Sequence, residues 1–297
     1  MADGAIATLR LGLIGRGIQG SRSPAMHMEE GAAQGLRLSY VLLDLESPAQ
    51  AGLDLAQIID RAEGDGFAGV NVTYPFKQAV IPLLDELSPA ARRLGAVNTV
   101  VFRGRRRVGH NTDWSGFAES FRRGLPDVAL DRALQLGAGG AGAAVAYALL
   151  EQGVRELILH DLDRGRAAEL ADTLAGIFGP DRVVVADDLK AAVAEADGLV
   201  NATPVGMAKY PGTPVPAALL RASQWVADVV YFPLETELLA DARRIGCRTL
   251  DGGGMAVFQA AEAFRLFTEV DPDTERMRRR FLANAERDGP LVSNVHE

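Results

Sequence analysis

A glycine-rich turn at residues 137–142 most constrains what this chain of 297 residues can fold into. It follows the apolar stretch 134–136 and precedes an alanine-rich stretch that is typical of a helix. In a strand–turn–helix unit, the first glycine allows the tight turn, the second lets a pyrophosphate approach the backbone, and the third permits close helix packing. The N-terminus of the helix can then face the phosphates. We assign five residues of this turn to dinucleotide binding: Gly137, Gly139, Gly140, Ala141 and Gly142.

A second glycine pattern, at residues 15–20, has the same G-x-G-x-x-G spacing after a predicted strand. It continues into the polar turn 21–24 instead of a helix of small residues. The acidic residue that follows it, Asp44, also lies further along the chain than the about 20 residues expected for a ribose partner. We therefore expect the turn at 137–142, rather than this one, to bind a dinucleotide.

Strand and helix patterns alternate along the whole chain, which predicts an α/β protein with parallel sheets covered by helices. The length is sufficient for two modest domains. Strands are predicted at 8–14, 38–44, 69–72, 96–103, 132–136, 156–160, 183–185, 198–201 and 225–228. Helices are predicted at 24–34, 53–63, 78–86, 115–123, 141–151, 164–177, 255–268 and 274–286, with further helices between the last three strands. The tail after Gly289 is expected to fray.

Composition argues against several classes of partner. A net charge of −8 disfavours general nucleic-acid binding and adhesion to an anionic membrane. The single cysteine, Cys247, permits no internal disulfide, which fits a reducing compartment. The sequence contains neither a signal-peptide pattern, nor an apolar stretch of ~20 residues, nor a pattern of metal ligands. We expect a soluble cytoplasmic protein without a metal centre and without nucleic-acid or membrane partners.

Lys77 is one of only three lysines in a chain that otherwise uses arginine for its basic positions. A lysine can release a proton near neutral pH, whereas a guanidinium stays charged. The polar turn 110–113 brings a carboxylate, Asp113, that could hold the ammonium in place. Oxidation of a secondary alcohol needs both hydride removal and proton removal in one site. Together with the dinucleotide turn, this pair predicts a hydride-transfer enzyme.

Asp161 directly follows the predicted strand 156–160, where a carboxylate can accept hydrogen bonds from the ribose hydroxyls of a dinucleotide. It would repel a 2'-phosphate, so NAD is favoured over NADP. Arg164 and Arg166 follow within the next turn, and either could pair with a 2'-phosphate or stack on adenine. We assign Asp161 and Arg166 to cofactor binding and leave NADP use open.

Short polar residues stand beside the predicted turns and strand ends. Ser21 and Ser23 precede a predicted helix, where they could cap the helix or bind a carboxylate. Thr73 and Asn98, like Asn71 and Asn111, could bind the hydroxyls of a polyol ring. Each could equally serve only its own turn.

With these residues in view, the chain resembles the shikimate/quinate dehydrogenase family over nearly its whole length. The matching segments are residues 21–24, 71–77, 95–99, 111–113, 137–142, 201–207 and 251–255, with Gln259 after them. The resemblance implies two α/β domains that flank a cleft. The substrate domain would comprise residues 1–113 plus about 257–297, and the Rossmann-type NAD-binding domain would comprise residues 114 to about 256.

The same resemblance implies a role for individual residues. Lys77 and Asp113 would be the catalytic pair. Ser21 and Ser23 would hold the substrate carboxylate, Tyr231 would line the pocket near the nicotinamide, and Thr73, Asn98 and Gln259 would contact the ring hydroxyls. The remaining residues would border the cofactor: Thr203, Val205, Gly206, Met207, Val230 and Gly254.

The sequence departs from the NADP-using members of this family at residues 161–163, where Asp-Leu-Asp replaces an Asn-Arg-Thr-like stretch. Trp114 also stands where a glycine is common. We therefore expect reversible NAD-dependent oxidation of the C3 hydroxyl of quinate or shikimate. The alternatives are an NADP-dependent biosynthetic enzyme, an enzyme for an amino analogue of shikimate, and a non-catalytic metabolite sensor. A monomer and a homodimer both remain open.

Overall fold

The computed structural model describes residues 8–287, and the tail predicted to fray after Gly289 lies outside them. Two six-stranded sheets organise this part of the chain. The first sheet contains β1 (Leu9–Gly15), β2 (Leu38–Asp44), β3 (Phe67–Val72), β4 (Glu86–Leu87), β5 (Thr99–Arg103) and β6 (Arg106–His110). Its strand order is β2-β1-β3-β5-β6-β4. Strands β1, β2 and β3 are parallel, whereas β5 is antiparallel to both of its neighbours.

The second sheet is entirely parallel, with the order β12-β11-β10-β7-β8-β9. Its strands are β7 (Arg132–Leu136), β8 (Glu156–His160), β9 (Val183–Val185), β10 (Gly198–Asn201), β11 (Trp225–Asp228) and β12 (Arg248–Leu250). From β7 the chain adds β8 and β9 on one side, and then crosses over to add β10, β11 and β12 on the other side. Dinucleotide-binding domains of the Rossmann type have the same arrangement. The predicted α/β fold class is confirmed.

Ten α-helices cover the sheets within residues 8–287. They are α1 (Ser23–Ala33), α2 (Leu55–Gly64), α3 (Pro89–Leu94), α4 (Asp113–Gly124), α5 (Gly140–Glu151), α6 (Arg164–Phe178), α7 (Leu189–Glu195), α8 (Glu237–Ile245), α9 (Gly253–Thr268) and α10 (Thr274–Arg287). None of the helices in this part of the chain is long and apolar enough to span a bilayer.

The helix predicted at 78–86 is wrong. A short 3₁₀ turn, Ile81–Leu83, and strand β4 occupy this stretch instead. Pro82 lies in its middle, where a proline removes a backbone donor and its ring clashes with the preceding turn. The sequence prediction also missed α3, α8, β6 and β12. Strand β6 begins with two arginines, and β12 has three residues, so neither shows the apolar alternation from which strands are predicted.

The last two helices return to the first sheet. Helix α9 packs on α4, on α1 and on strands β3 and β5, and α10 packs on α1 and α9. Helices α4 and α9 approach closely because Gly116 faces the backbone of Gln259, where a Cβ atom would come within 2.6 Å of the amide nitrogen. The buried Glu30 carboxylate joins α1 to α10 through Arg276, with Nε and Oε2 2.6 Å apart. Asp113 and Gln259 are thereby brought to one side of the first sheet.

Candidate active site

A cavity of about 560 Å³ lies between the two sheets and is lined by residues from both. The first sheet contributes the turn after β3, and the second contributes Ala141 at the start of α5 and Tyr231 after β11. All eight residues predicted to contact or transform the substrate line it: Ser21, Ser23, Thr73, Lys77, Asn98, Asp113, Tyr231 and Gln259. Of the residues predicted to bind the cofactor, Ala141 and Met207 line it as well. Tertiary folding therefore collects residues that are up to 238 positions apart, from Ser21 to Gln259.

Lys77 and Asp113 form an ion pair at the wall of this cavity, with Nζ and Oδ2 2.7 Å apart. The lysine side chain is 23% exposed and the aspartate side chain 11% exposed, so the pair is sheltered but reachable. The backbone carbonyl of Lys77 accepts a hydrogen bond from the Val97 amide at 2.8 Å, which ties the lysine turn to the strand that follows. A lysine held in this way can exchange a proton with a hydroxyl in the cavity.

The Asn98 amide is satisfied by protein partners on both of its ends. Its Oδ1 accepts from the Thr112 backbone amide at 2.7 Å and from the Thr99 hydroxyl at 3.1 Å. Its Nδ2 donates to Thr112 Oγ1 at 3.0 Å and to Asp113 Oδ1 at 2.9 Å. An amide offers two donors and two acceptor positions, and all four are used here. Asn98 therefore holds Asp113 in this geometry, and its predicted contact with a ring hydroxyl would have to replace one of these bonds.

The glycine pattern at 15–20 is held by a carboxylate of its own sheet. Asp44, at the end of β2, accepts hydrogen bonds from the amides of Gly17 and Ile18, each at 3.1 Å, and from the Glu46 amide at 3.0 Å. These donors, that of Glu46 above all, hold the pKa of Asp44 below its usual range, against the opposing effect of burial. The amides that a phosphate would need at Gly17 and Ile18 are thus occupied, and the Ile18 carbonyl accepts a hydrogen bond from the Ser21 amide at 2.9 Å.

The turn at 137–142 differs because the first turn of α5 has no side-chain cap. Gly137 has a φ of +95°, and a Cβ atom at Gly142 would lie 2.4 Å from the Gly137 carbonyl oxygen. The buried Gln135 amide donates to the carbonyls of Gly137 and Gly142, each at 2.8 Å. Free backbone amides at a helix N-terminus suit a phosphate, and Ala141 in this turn lines the cavity. These residues fit the dinucleotide that the sequence predicts.

Asp161 follows β8 and accepts hydrogen bonds from the amides of Ala138 and Asp163, each at 2.8 Å. Each carboxylate oxygen retains a further acceptor position for a ribose hydroxyl. The two arginines next to it are already engaged with carboxylates. Arg166 lies 4.0 Å from Asp161 and 3.7 Å from Asp163, and Arg164 pairs with Asp187. Three carboxylates face two guanidinium groups here, which leaves a negative surplus where a 2'-phosphate would sit.

Asn201 and Asp228 organise the two loops of the second sheet that border the cavity. Asn201 Nδ2 donates to Asp228 Oδ1 at 3.0 Å and to the Val205 carbonyl at 2.9 Å. Asp228 also accepts from the Val230 amide at 2.9 Å, one residue before Tyr231. The Thr203 hydroxyl donates to Asn201 Oδ1 at 2.6 Å and so shapes its own loop.

Gly206 and Gly254 take part in chain packing. Gly206 has a φ of +101° and donates its amide to the Tyr210 carbonyl at 2.8 Å. A Cβ atom at Gly254 would lie 2.1 Å from Ser120 Oγ, so this glycine lets α9 approach α4. Their predicted cofactor contacts remain predictions.

The buried Asp228 carboxyl is expected to make the protein less stable as the pH rises from about 4 to about 6. Burial raises the pKa of Asp228 to about 6, whereas an unfolded aspartate ionises near about 3.9. Between these values the native state binds a proton that the unfolded state releases. The free energy of unfolding therefore falls with rising pH, by about 3 kcal/mol in total, and stays low above the native pKa.

An Asp228→Asn variant is expected to lose this dependence, because its neutral amide can donate to Thr236 and still accept from Asn201 and Val230. Denaturant unfolding of both proteins from about pH 4 to pH 8 measures the effect. The difference between their free energies of unfolding removes the contributions of the other titrating groups. A difference that does not change with pH would contradict the argument.

Several residues of the site were not found by sequence reasoning. Tyr40 and Thr99 lie in strands, and Gln135 and Asp228 lie in or at the end of buried strands. Their common signal is a polar residue within an otherwise apolar strand, as in Leu134-Gln135-Leu136. That signal marks a buried polar group but does not say which partner satisfies it.

Two α/β domains that face a common cavity, one with a dinucleotide turn and the other with a lysine–aspartate pair, define a two-domain NAD(P)-dependent dehydrogenase. The family model of the shikimate dehydrogenase substrate binding domain matches residues 13–100, and that of the shikimate 5'-dehydrogenase C-terminal domain matches residues 252–280. The chain belongs to the shikimate dehydrogenase family, which confirms the resemblance seen in the sequence.

Similar proteins include both NAD-linked and NADP-linked enzymes. A shikimate dehydrogenase (NADP(+)) of an Arthrobacter species is 53% identical over 275 residues, which is 92% of this chain and 94% of that protein. A quinate/shikimate dehydrogenase (NAD(+)) of Corynebacterium efficiens is 50% identical over 279 residues, 93% of this chain and 98% of that protein. The structure of quinate dehydrogenase from Corynebacterium glutamicum in complex with NAD is 50% identical, with a TM-score of 0.91 and coverage of 93% and 99%.

Proposed function

We propose that this protein is an NAD-dependent oxidoreductase that reversibly oxidises the C3 hydroxyl of quinate, shikimate or both to the 3-dehydro acid. The observation that carries the proposal is the Lys77–Asp113 pair, 2.7 Å apart, in a cavity that also receives the first turn of α5. NAD, when bound, would supply the acceptor for the hydride of the alcohol carbon. Lys77 accepts the hydroxyl proton in oxidation and returns it in reduction, while Asp113 holds the lysine in place.

The substrate contacts are proposed from the cavity lining. Ser21 and Ser23 stand at the N-terminus of α1, where hydroxyls and the helix end favour a carboxylate. Thr73 and Gln259 also line the cavity and would bind ring hydroxyls, and Tyr231 would line the pocket near the nicotinamide. The cavity volume falls within the range of small-molecule sites, about 300–1,000 Å³.

NAD rather than NADP is proposed because of the charges after β8. The Asp161 carboxylate can accept from ribose hydroxyls, and Leu162 beside it is fully exposed and offers nothing to a 2'-phosphate. The relatives that use NADP keep NADP-linked shikimate oxidation as the second candidate. Quinate and shikimate differ by one hydroxyl and ring saturation, and a small pocket change can reverse such a preference.

We further propose a division into a substrate domain of residues 1–113 plus the C-terminal part and a nucleotide domain between them. The C-terminal part was predicted to begin near residue 257, which lies inside the continuous helix α9, so we propose its start at Gly253. A cytoplasmic location, and a monomer or homodimer as the working form, are part of the same proposal.

Initial-rate kinetics with quinate and with shikimate, each with NAD and with NADP, test the function directly. We expect turnover with NAD to exceed turnover with NADP for at least one of the two acids. Dominant NADP activity would point to the biosynthetic alternative. Measurable binding of both acids without turnover would favour a metabolite sensor, and activity only with amino analogues would redirect the substrate assignment.

A further inference from the structure

A continuous set of side-chain hydrogen bonds runs through the first sheet and ends at Asp113. The Tyr40 hydroxyl on β2 donates to Asn71 Oδ1 on β3 at 2.8 Å, across the intervening strand β1. Asn71 Nδ2 donates to Thr99 Oγ1 on β5 at 2.9 Å. The Thr99 hydroxyl donates to Asn98 Oδ1 at 3.1 Å, and Asn98 Nδ2 donates to Asp113 Oδ1 at 2.9 Å. We call these four residues, Tyr40, Asn71, Thr99 and Asn98, the strand network.

Backbone partners determine the direction of these bonds. The Thr112 amide can only donate, so the atom of Asn98 that faces it is Oδ1, and Nδ2 must face Asp113. The Asn98 carbonyl can only accept, so the atom of Asn71 that faces it at 3.3 Å is Nδ2. The Thr99 hydroxyl then receives a hydrogen bond from Asn71 and has its own proton for Asn98. The bonds that join the four side chains therefore all run in one direction, from Tyr40 toward Asp113.

The strand network is shielded from solvent. Thr99 is 0% exposed, Asn98 4%, and Tyr40 and Asn71 7% each. Burial strongly raises the pKa of Tyr40, so the phenol keeps the proton that it donates, although the nearby Ser23 hydroxyl acts in the opposite direction. In such surroundings hydrogen bonds are stronger than in water and polarise one another along a chain. We therefore expect the loss of one hydrogen bond in the strand network to weaken the others.

We propose that Thr99, Asn71 and Tyr40 are positioning residues for the reaction: they lock the Asn98 amide so that it holds Asp113, which in turn holds Lys77. The proposal rests on the function proposed above for Lys77 and Asp113. Thr99 is not among the residues that line the cavity, so its effect on turnover must pass through the side chains that it contacts, Asn98 above all. A side chain that only filled the core would act through its volume, whereas this role requires its hydroxyl.

Thr99 permits a matched pair of variants that separates these two roles. Thr99→Val keeps the volume and removes the hydroxyl, whereas Thr99→Ser keeps the hydroxyl and removes a methyl group. We expect Thr99→Val to lower kcat by about tenfold, the rate equivalent of one buried hydrogen bond, with little change in KM for the acid or for NAD. Thr99→Ser should recover most of the loss. Equal kcat values for the two variants, or a better kcat for Thr99→Val, would overturn the proposal.

Tyr40→Phe provides a second test should Thr99→Val fold poorly. We expect a smaller loss of kcat from Tyr40→Phe, because two more residues separate Tyr40 from Asn98. Tyr147→Phe is its control: Tyr147 is also buried, and its hydroxyl accepts a hydrogen bond from Arg93 at 3.1 Å, outside the strand network. Equal kcat changes in Tyr40→Phe and Tyr147→Phe would count against the proposal.

Crystal structures of the two Thr99 variants test the positioning role independently of turnover. In the Thr99→Val protein we expect the Asn98 amide to turn away from Asp113 and the Lys77–Asp113 distance to lengthen, whereas the Thr99→Ser protein should keep both contacts. An unchanged Asn98–Asp113 contact in Thr99→Val would refute the inference even if the natural protein oxidised neither acid. Absence of turnover in the natural protein would instead refute only the proposed function.

Discussion

Replacing Lys77 with alanine is expected to lower kcat by about 10²–10⁴-fold, the usual contribution of general acid–base catalysis, while the dissociation constant of NAD stays nearly unchanged. The reason is geometric. The lysine ammonium lies 2.7 Å from Asp113 at the wall of the cavity, and the dinucleotide turn belongs to the other sheet. Without the amine, the hydroxyl proton has no acceptor at the position that Asp113 defines. Steady-state kinetics and a fluorescence titration with NADH measure the two quantities.

Three further variants make this result specific. Lys77→Met keeps the aliphatic stem, so it should lose activity like alanine if the amine is what matters. Lys77→Arg keeps a positive charge that cannot be released near neutral pH, and it should also be inactive. Lys190→Ala removes a lysine from α7, in the second domain, and should leave kcat unchanged. Retention of most of the turnover in Lys77→Ala would refute the role of this residue.

The unmodified protein is expected to prefer NAD to NADP by about 100-fold in kcat/KM, since a 2'-phosphate would meet a negative surplus after β8. Leu162→Arg should reduce this preference. Leu162 is fully exposed between Asp161 and Asp163, so an arginine there can reach a 2'-phosphate without disturbing the core. A charge-assisted hydrogen bond should raise kcat/KM for NADP by about tenfold and leave the value for NAD almost unchanged.

Leu162→Gln is the control for this experiment, because glutamine adds a polar side chain without a charge. It should raise the NADP value little. Equal gains for arginine and glutamine would show that charge is not the cause, and a strong NADP preference in the unmodified protein would show that Arg166 overrides Asp161.

Much of the architecture could be predicted because its signals are local. The turn at 137–142 lies between β7 and α5, and the alternation around it gave the limits of β7, β8 and β10 without error. The failures have equally local causes. Pro82 interrupts the apolar pattern that suggested a helix, and the arginines of β6 hide a strand whose neighbours in the sheet satisfy its backbone.

The residues of the candidate site also fall into two groups, those that the sequence predicted and those that only the folded structure revealed. By itself, the sequence determined the α/β class, the dinucleotide turn and the candidate pair Lys77 and Asp113, since these follow from glycine geometry, periodicity and the chemistry of single residues. Only the tertiary structure decided that Asn98 is satisfied by Asp113 and its neighbours, and that Tyr40 and Thr99 belong to the same set of hydrogen bonds. The physical reason is that a buried polar group must find a partner, and the partner comes from whichever strand lies beside it in the sheet, whatever its distance along the chain.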